Sequence, residues 1–315
     1  MLFLNIMYSL KYCVLLIVLL FCTSIQSESQ EDFEHKDTST TCKEEAHTKF
    51  NINDCLYTCI DSGYYQYVSY YLIKGADPNS ISLQNGYSAL MLASFLDHFD
   101  ITELLIKKGA DVNYRTPEGN SALIIATQKG YYDIVDLLIK KGAEINPRTV
   151  DSTSPLFEAV KFLNDSITNL LIKNGSQVNI VDYSKFTPLQ YSAGYNLLYC
   201  KLNGDEGVDK LLDSFIFHSK ANKISELLIN AGANVDVTDI YGNTPLMVAT
   251  QLNNLELANI LCKAGANPNI ANNDSITPLM YATSEKLFDI SSVLLKNGAK
   301  VNDQLENNEM LLYEI

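Results

Sequence analysis

The chain has 315 residues and 47% hydrophobic content, enough to bury a sizeable core. Its 37 acidic and 23 basic residues leave a formal charge of −14, which repels phosphate backbones and argues against nucleic acid as a partner. The same excess of acid suits a neutral or basic protein partner, or serves solubility alone.

Tyr12 to Cys22 is an unbroken apolar run of 11 residues behind Lys11. A bilayer needs about 20 residues, so the run alone is too short to span. Thr23, Ser24 and Ser27 follow it, and residues 1–27 read as a secretory signal peptide cleaved after Ser24 or Ser27. The first ten residues are also apolar and carry no lysine or arginine; kept with the run, they would form a signal anchor and make the membrane a partner. The expected destination is therefore export, periplasmic or secreted, with membrane anchoring as the alternative. Residues 28–47 are polar and charged and read as a disordered leader.

Removal of 1–27 leaves Cys42, Cys55, Cys59, Cys200 and Cys262. An exported chain permits disulfides, and Cys42 is expected to pair with Cys55 or Cys59, which lie one helical turn apart. Cys262 stands where Ile106, Ile139, Ile172 and Ile229 stand elsewhere, so it reads as a small buried hydrophobe.

From residue 48 onward one phrase recurs seven times, as Gly75-Ala76-Asp77-Pro78-Asn79, then at Gly109, Gly142, Gly175, Gly232, Gly265 and Gly298. The glycine-to-glycine steps are 34, 33, 33, 57, 33 and 33. A fixed period near 33 marks a stacked repeat array. Each phrase closes a helix such as Ile101 to Lys108, apolar on one face, with lysines near its negative end and glycine as the left-handed cap. Upstream lies a shorter helix, which opens Thr187-Pro188-Leu189, Thr244-Pro245-Leu246 or Thr277-Pro278-Leu279. Threonine can accept from free amides there, and proline at the first helical position loses no bond. Segments such as Asp239-Ile240-Tyr241-Gly242-Asn243 read as hairpin turns between repeats.

Hairpin, short helix, longer helix and glycine cap at this period resemble the ankyrin repeat. The resemblance covers Asn51 to Asn302 and implies an all-α repeat solenoid of about seven helix-turn-helix repeats with β-hairpin loops, occupying residues 48–315. The family's Thr-Pro-Leu-His opening is partly kept, as Ser88-Ala89-Leu90-Met91, Ser121-Ala122-Leu123-Ile124 and Ser154-Pro155-Leu156-Phe157. In the first copy, near Asp54-Cys55-Leu56-Tyr57, it is degraded. No copy has the histidine, which predicts the loss of a polar link between neighbours and a greasier stack.

The 57-residue step carries 24 extra residues inside the fifth repeat. Tyr195 to Leu202 has the pattern of a continued first helix, Asn203 to Gly207 of a turn, and Val208 to Ile216 of a second helix. The expectation is a helical insertion at about 195–219, at the turn between the two helices. Phe215, Ile216 and Phe217 form an apolar cluster that needs cover from the stack or from a partner.

Catalytic signatures are scarce. The four histidines are His35, His47, His98 and His218, and none sits in a nucleophilic or metal-ligand pattern. His98 falls at a turn between helices and reads as solvated. No cofactor, catalytic residue or metal ligand is predicted, and the chain is read as no enzyme.

The family resemblance implies protein binding through hairpin tips and the concave face of the shorter helices. The tips carry Tyr114, Arg115, Arg148, Tyr183, Lys185 and Tyr241, the side-chain types that dominate interfaces. With Phe215 and Phe217 of the insertion they form the candidate binding set. The function implied is an exported, non-catalytic protein binder. Alternatives are a secreted, toxin-like effector acting on another cell and a periplasmic accessory factor supporting an enzyme.

Overall fold

The computed structural model describes residues 51–194 and 215–301 of the chain. The predicted signal segment, the leader, Cys42, Cys200 and most of the insertion lie outside the described residues. The repeats fall in one compact unit, Asn51–Ile315.

Among the described residues there are 14 helices and no strand, arranged as seven pairs. The first repeat pairs α1 (Ile52–Asp61) with α2 (Tyr65–Ile73). The second pairs α3 (Ala89–Phe95) with α4 (Phe99–Lys107), and the third α5 (Ala122–Lys129) with α6 (Tyr132–Lys140). The fourth holds α7 (Pro155–Lys161) and α8 (Asp165–Lys173), the fifth α9 (Pro188–Ser192) and α10 (Phe215–Asn230). The last two hold α11 (Pro245–Gln251) with α12 (Leu255–Lys263), and α13 (Pro278–Ser284) with α14 (Phe288–Lys296). Helices pack within each pair and onto their counterparts in the next, which makes the all-α solenoid.

Local chemistry sets both ends of each pair. Ser88, Ser121, Ser154, Thr187, Thr244 and Thr277 each accept from the amide three residues on, at 3.2–3.4 Å. Proline follows at the first position of α7, α9, α11 and α13. At the far end the repeating glycine has φ between 87° and 99°, and the amide after it reaches back to a carbonyl of the last turn, as Ala110 does to Leu105 at 3.0 Å.

The core is a set of columns along the stack. Leu56, Leu90, Leu123, Leu156, Leu189, Leu246 and Leu279 are all buried at equivalent positions of the short helices. Leu105, Leu138, Leu171, Leu228, Leu261 and Leu294 do the same for the longer ones, with half-buried Tyr71 in that place in the first repeat. Cys262 is buried as well, and burial pushes its thiol up, so it packs as a small hydrophobe.

The expected loss of a polar link between repeats is only partial. At the position of the missing histidine, Tyr57 donates its hydroxyl to the carbonyls of Ser80 (2.6 Å) and Tyr87 (2.8 Å) in the next repeat. Burial raises the Tyr57 hydroxyl to about 12. Gln190 donates across to the Val237 carbonyl at 3.3 Å. Only Met91, Ile124, Phe157 and Met247 leave the position apolar and buried, and these form the greasier part of the stack.

The first helix of the fifth repeat is not lengthened as its pattern suggested. It ends at Ser192, and Gly194 turns to φ 99° with the Leu252 side chain close against it. The second helix is lengthened. α10 has 16 residues where its equivalents have nine, and its additional turns precede Asn222, which aligns with Asp165 of α8.

Candidate protein-binding site

The repeats are tied at their loops by one recurring asparagine. Asn113 accepts from the Glu144 amide at 2.8 Å and donates to the Gly142 carbonyl at 3.1 Å. Asn79, Asn146, Asn179 and Asn269 make the same two bonds to the next repeat. Asp236 stands in that column with a carboxylate. It accepts from the Asn267 amide at 2.9 Å but has no N–H for the Gly265 carbonyl. These bonds space the loops and so position the tips beyond them.

Each tip is a turn closed by backbone bonds rather than a hairpin of strands. In the turn Asp239 to Asn243, the Asp239 amide donates to the Asn243 carbonyl and the Gly242 amide to the Asp239 carbonyl, both at 3.0 Å. The Asp239 carboxylate accepts from the amides of Tyr241 and Asn243 at 2.8 Å. Burial pushes that carboxyl above its ordinary value against the pull of these bonds. The single β-bridge among the described residues, Ile81 with Ser88, lies in the loop before α3. Neighbouring tips touch: the Val150 amide donates to Glu118 and the Asn273 amide to Tyr241, both at 2.9 Å. Gly119 and Gly242 allow this approach. A Cβ on Gly119 would lie 2.7 Å from the Arg148 carbonyl, and one on Gly242 2.8 Å from the Asn273 nitrogen.

The six tip residues divide into two groups. Tyr114 is half-buried, packs on the core and donates to the Gly86 carbonyl at 3.2 Å. Arg115 pairs with Glu144 at 2.5 Å, an exposed bridge worth about 0–1 kcal/mol. Arg148 donates to the Ser152 carbonyl at 2.8 Å and to the Val181 carbonyl of the next tip. These three are committed to neighbours within the array. Tyr183 is 78% exposed, Tyr241 48%, and Lys185 is exposed at φ 65°. Those three face solvent from backbones held in place by the tip contacts.

Phe215, Ile216 and Phe217 begin α10, and their side chains lie outside the description. Further along, α10 is seated by polar contacts. Ser225 bonds Ser192 at 2.8 Å, Asn222 donates to Glu256 at 2.7 Å, Asn254 donates to Asn222 at 2.9 Å, and Lys223 pairs with Asp165. The Lys223 ammonium holds the Asp165 carboxyl below its usual range.

Cys55 and Cys59 are both buried on α1. His98 is half-buried rather than solvated; its ring lies against Gly63 of the first repeat. Among the described residues no group of three or more His, Cys, Asp or Glu is placed to hold a metal ion, and no helix is long and apolar enough to cross a membrane.

A family profile described as ankyrin repeats (3 copies) matches residues 56–149 and 215–304, more than half of the chain. The chain belongs to the ankyrin-repeat family. The gap in the match spans α7, α8 and α9, and these continue the same paired architecture. Two solved structures are similar in fold. The human ASB11 ankyrin repeat domain is 22% identical, with 78% of this chain and 98% of that chain covered and a TM-score of 0.59. An ankyrin repeat domain from Acinetobacter baumannii AYE is 25% identical, with 67% and 98% covered and a TM-score of 0.57. No curated protein matches the chain. Ankyrin repeats indicate a protein-interaction domain, so a protein partner follows from the family.

Proposed function

We propose that this ankyrin-repeat protein is exported and acts as a non-catalytic binder, holding a neutral or basic protein against its tip row. The observation that carries the reading is the split among the tip residues. Tyr114 and Arg148 lock neighbouring tips together, while Tyr183, Lys185 and Tyr241 stand exposed on the row so fixed. A row ordered before binding loses little entropy when a partner arrives. Tyrosine supplies large contact area with few rotatable bonds.

The test is a pulldown with the exported protein, repeated with Tyr183→Ala and Tyr241→Ala plus Lys185→Gly, which respects the left-handed backbone at that position. The captured protein should be lost and its affinity reduced by about 2–4 kcal/mol, as when interface anchors are truncated. Undiminished capture contradicts the tip row as the site. Export rests on the apolar run from Tyr12 to Cys22 and the small residues after it. N-terminal sequencing of the exported protein should begin after Ser24 or Ser27; a chain beginning at Met1 that pellets with membranes contradicts removal.

A further inference from the structure

Each short helix begins at a tip and each longer helix ends beside one. The turn that joins them therefore lies at the other end of the pair, about 13 Å away for a nine-residue helix. At this turn edge the first residue of each longer helix forms a column. It reads Tyr65, Phe99 and Tyr132 in the first three repeats, 45%, 38% and 44% exposed. Three acids lie beside it: Asp97, Asp100 and Asp133, all exposed. Among the described residues, no lysine or arginine forms an ion pair with any of the three. Asp97 and Asp133 come from successive repeats and sit close enough for the Asp133 charge to add to burial in pushing the Asp97 carboxyl up; His98 pulls it back only in part.

We propose that this edge is a second docking surface, distinct from the tips, for a basic polypeptide segment that alternates cationic and apolar side chains. Two contacts within the protein show the complement that such an edge accepts. In the fourth repeat the column continues as Asp165, and there Lys223 of α10 has docked onto it as an ion pair. Beside the second repeat, the Lys129 ammonium lies over the Phe95 ring, 4.1 Å from its centroid. Among the described residues, no lysine or arginine is paired with the next acids along the edge, Asp97, Asp100 and Asp133.

Charge also decides against other occupants. A second copy related by a two-fold axis would bring acid against acid. An anionic leaflet would be repelled. Helices in neighbouring repeats pack about 8–10 Å apart, so three repeats span roughly 20 Å, the length of about six extended residues. Such a segment would set an apolar side chain beside each ring and a cation near each acid.

The probe is a fluorescein-labelled octapeptide of alternating arginine and leucine, titrated against the full chain by anisotropy; an alternating glutamate and leucine peptide is the control. The arginine peptide should bind and the glutamate peptide should not. D97N/D100N/D133N should weaken binding about tenfold or more by removing the local charge, and F99A/Y132A should weaken it comparably. D151N/E226Q/D274N removes the same net charge elsewhere on the surface and should change affinity less than twofold. Y183A/Y241A should also leave it unchanged, which separates this surface from the tip row. Circular dichroism confirms that each variant folds; Asp→Asn preserves shape, so the charge arm stands even where an aromatic change disturbs packing. Four results overturn the proposal: no binding of the arginine peptide; equal binding of both peptides; equal weakening by the remote charge triple; or a dimer in sedimentation that F99A/Y132A dissociates.

Discussion

Asn179 and Gly232 lie 53 residues apart in the chain, yet the Asn179 side chain donates to the Gly232 carbonyl at 2.9 Å. The same side chain accepts from the Asn234 amide at 2.8 Å. Elsewhere in the array this pair of bonds joins residues 29–32 apart, as Asn113 joins Gly142 and Glu144. The long step between the fourth and fifth phrases therefore leaves the spacing of the stack unchanged. The extra residues fall between Gly194 and Asn222 in the chain.

The asparagine column yields a paired prediction. Asn179→Ala removes two bonds and should lower stability by about 1–2 kcal/mol. Asp236→Asn supplies the N–H that Asp236 lacks toward the Gly265 carbonyl and should raise stability by up to about 1 kcal/mol. Urea unfolding of both variants checks the signs. A destabilising Asp236→Asn would contradict the account of this gap.

Glu158 is buried on α7, and burial pushes its carboxyl up from 4.5, more than Lys161, Gln128 and Thr153 pull it down. A carboxyl raised in the folded state binds its proton more tightly there than in the unfolded chain. Its contribution to stability therefore falls as pH rises from about 4.5 through the raised folded value. Glu158→Gln keeps an acceptor without the charge. The variant should lose that fall, and its melting temperature near neutral pH should lie above the parent's. Parallel pH profiles of the two proteins would count against a buried acid that costs stability.

Two glycines should respond differently to alanine. Gly75 has φ 99° with open space around it, so Gly75→Ala should cost roughly 1–2 kcal/mol of left-handed strain. Gly119 has φ 85° with the Arg148 carbonyl in the way of a Cβ, and Gly119→Ala should cost about 1–3 kcal/mol more as the tips separate. Equal losses in thermal melts would mean that the tips do not constrain one another.

The cysteines give a covalent test. We propose a link from Cys42 to Cys55 or Cys59, on the expectation of an oxidising destination. Non-reducing peptide maps of the exported protein should contain the cross-linked peptide, and free alkylation of all three excludes it. Cys262, buried with its thiol pushed up, should alkylate only on unfolding.

The period, the caps and the leucine columns were legible because they depend on chemistry local to a few residues. Thr187-Pro188 announces a helix start, and Gly109 a helix end, without reference to anything distant. What depends on the next repeat was not legible. Tyr114 and Arg148 have the composition of binding residues, but across the stack they meet the Gly86 and Val181 carbonyls and become ties. Tyr57 and Gln190 restore a polar link because their longer side chains reach a neighbouring backbone. The asparagine column could have been found by aligning the seven phrases, since Asn79, Asn113, Asn146, Asn179, Asn269 and Asn302 share one place with Asp236 the exception. The end of α9 could not: the apolar period from Tyr195 to Leu202 continues the helical pattern, and periodicity records a face rather than a break at Gly194.

Seven repeats form one continuous stack although the fifth carries 24 extra residues in sequence. The most direct measurement is urea unfolding, followed by circular dichroism, of a protein in which residues 195–219 are replaced by a short glycine-containing turn. The shortened protein should fold and unfold in a single transition with a midpoint close to the parent's, because each repeat contacts only its neighbours. Two separated transitions, or a large loss of helix and stability, would contradict it and make the extra segment part of what holds the fifth repeat in place.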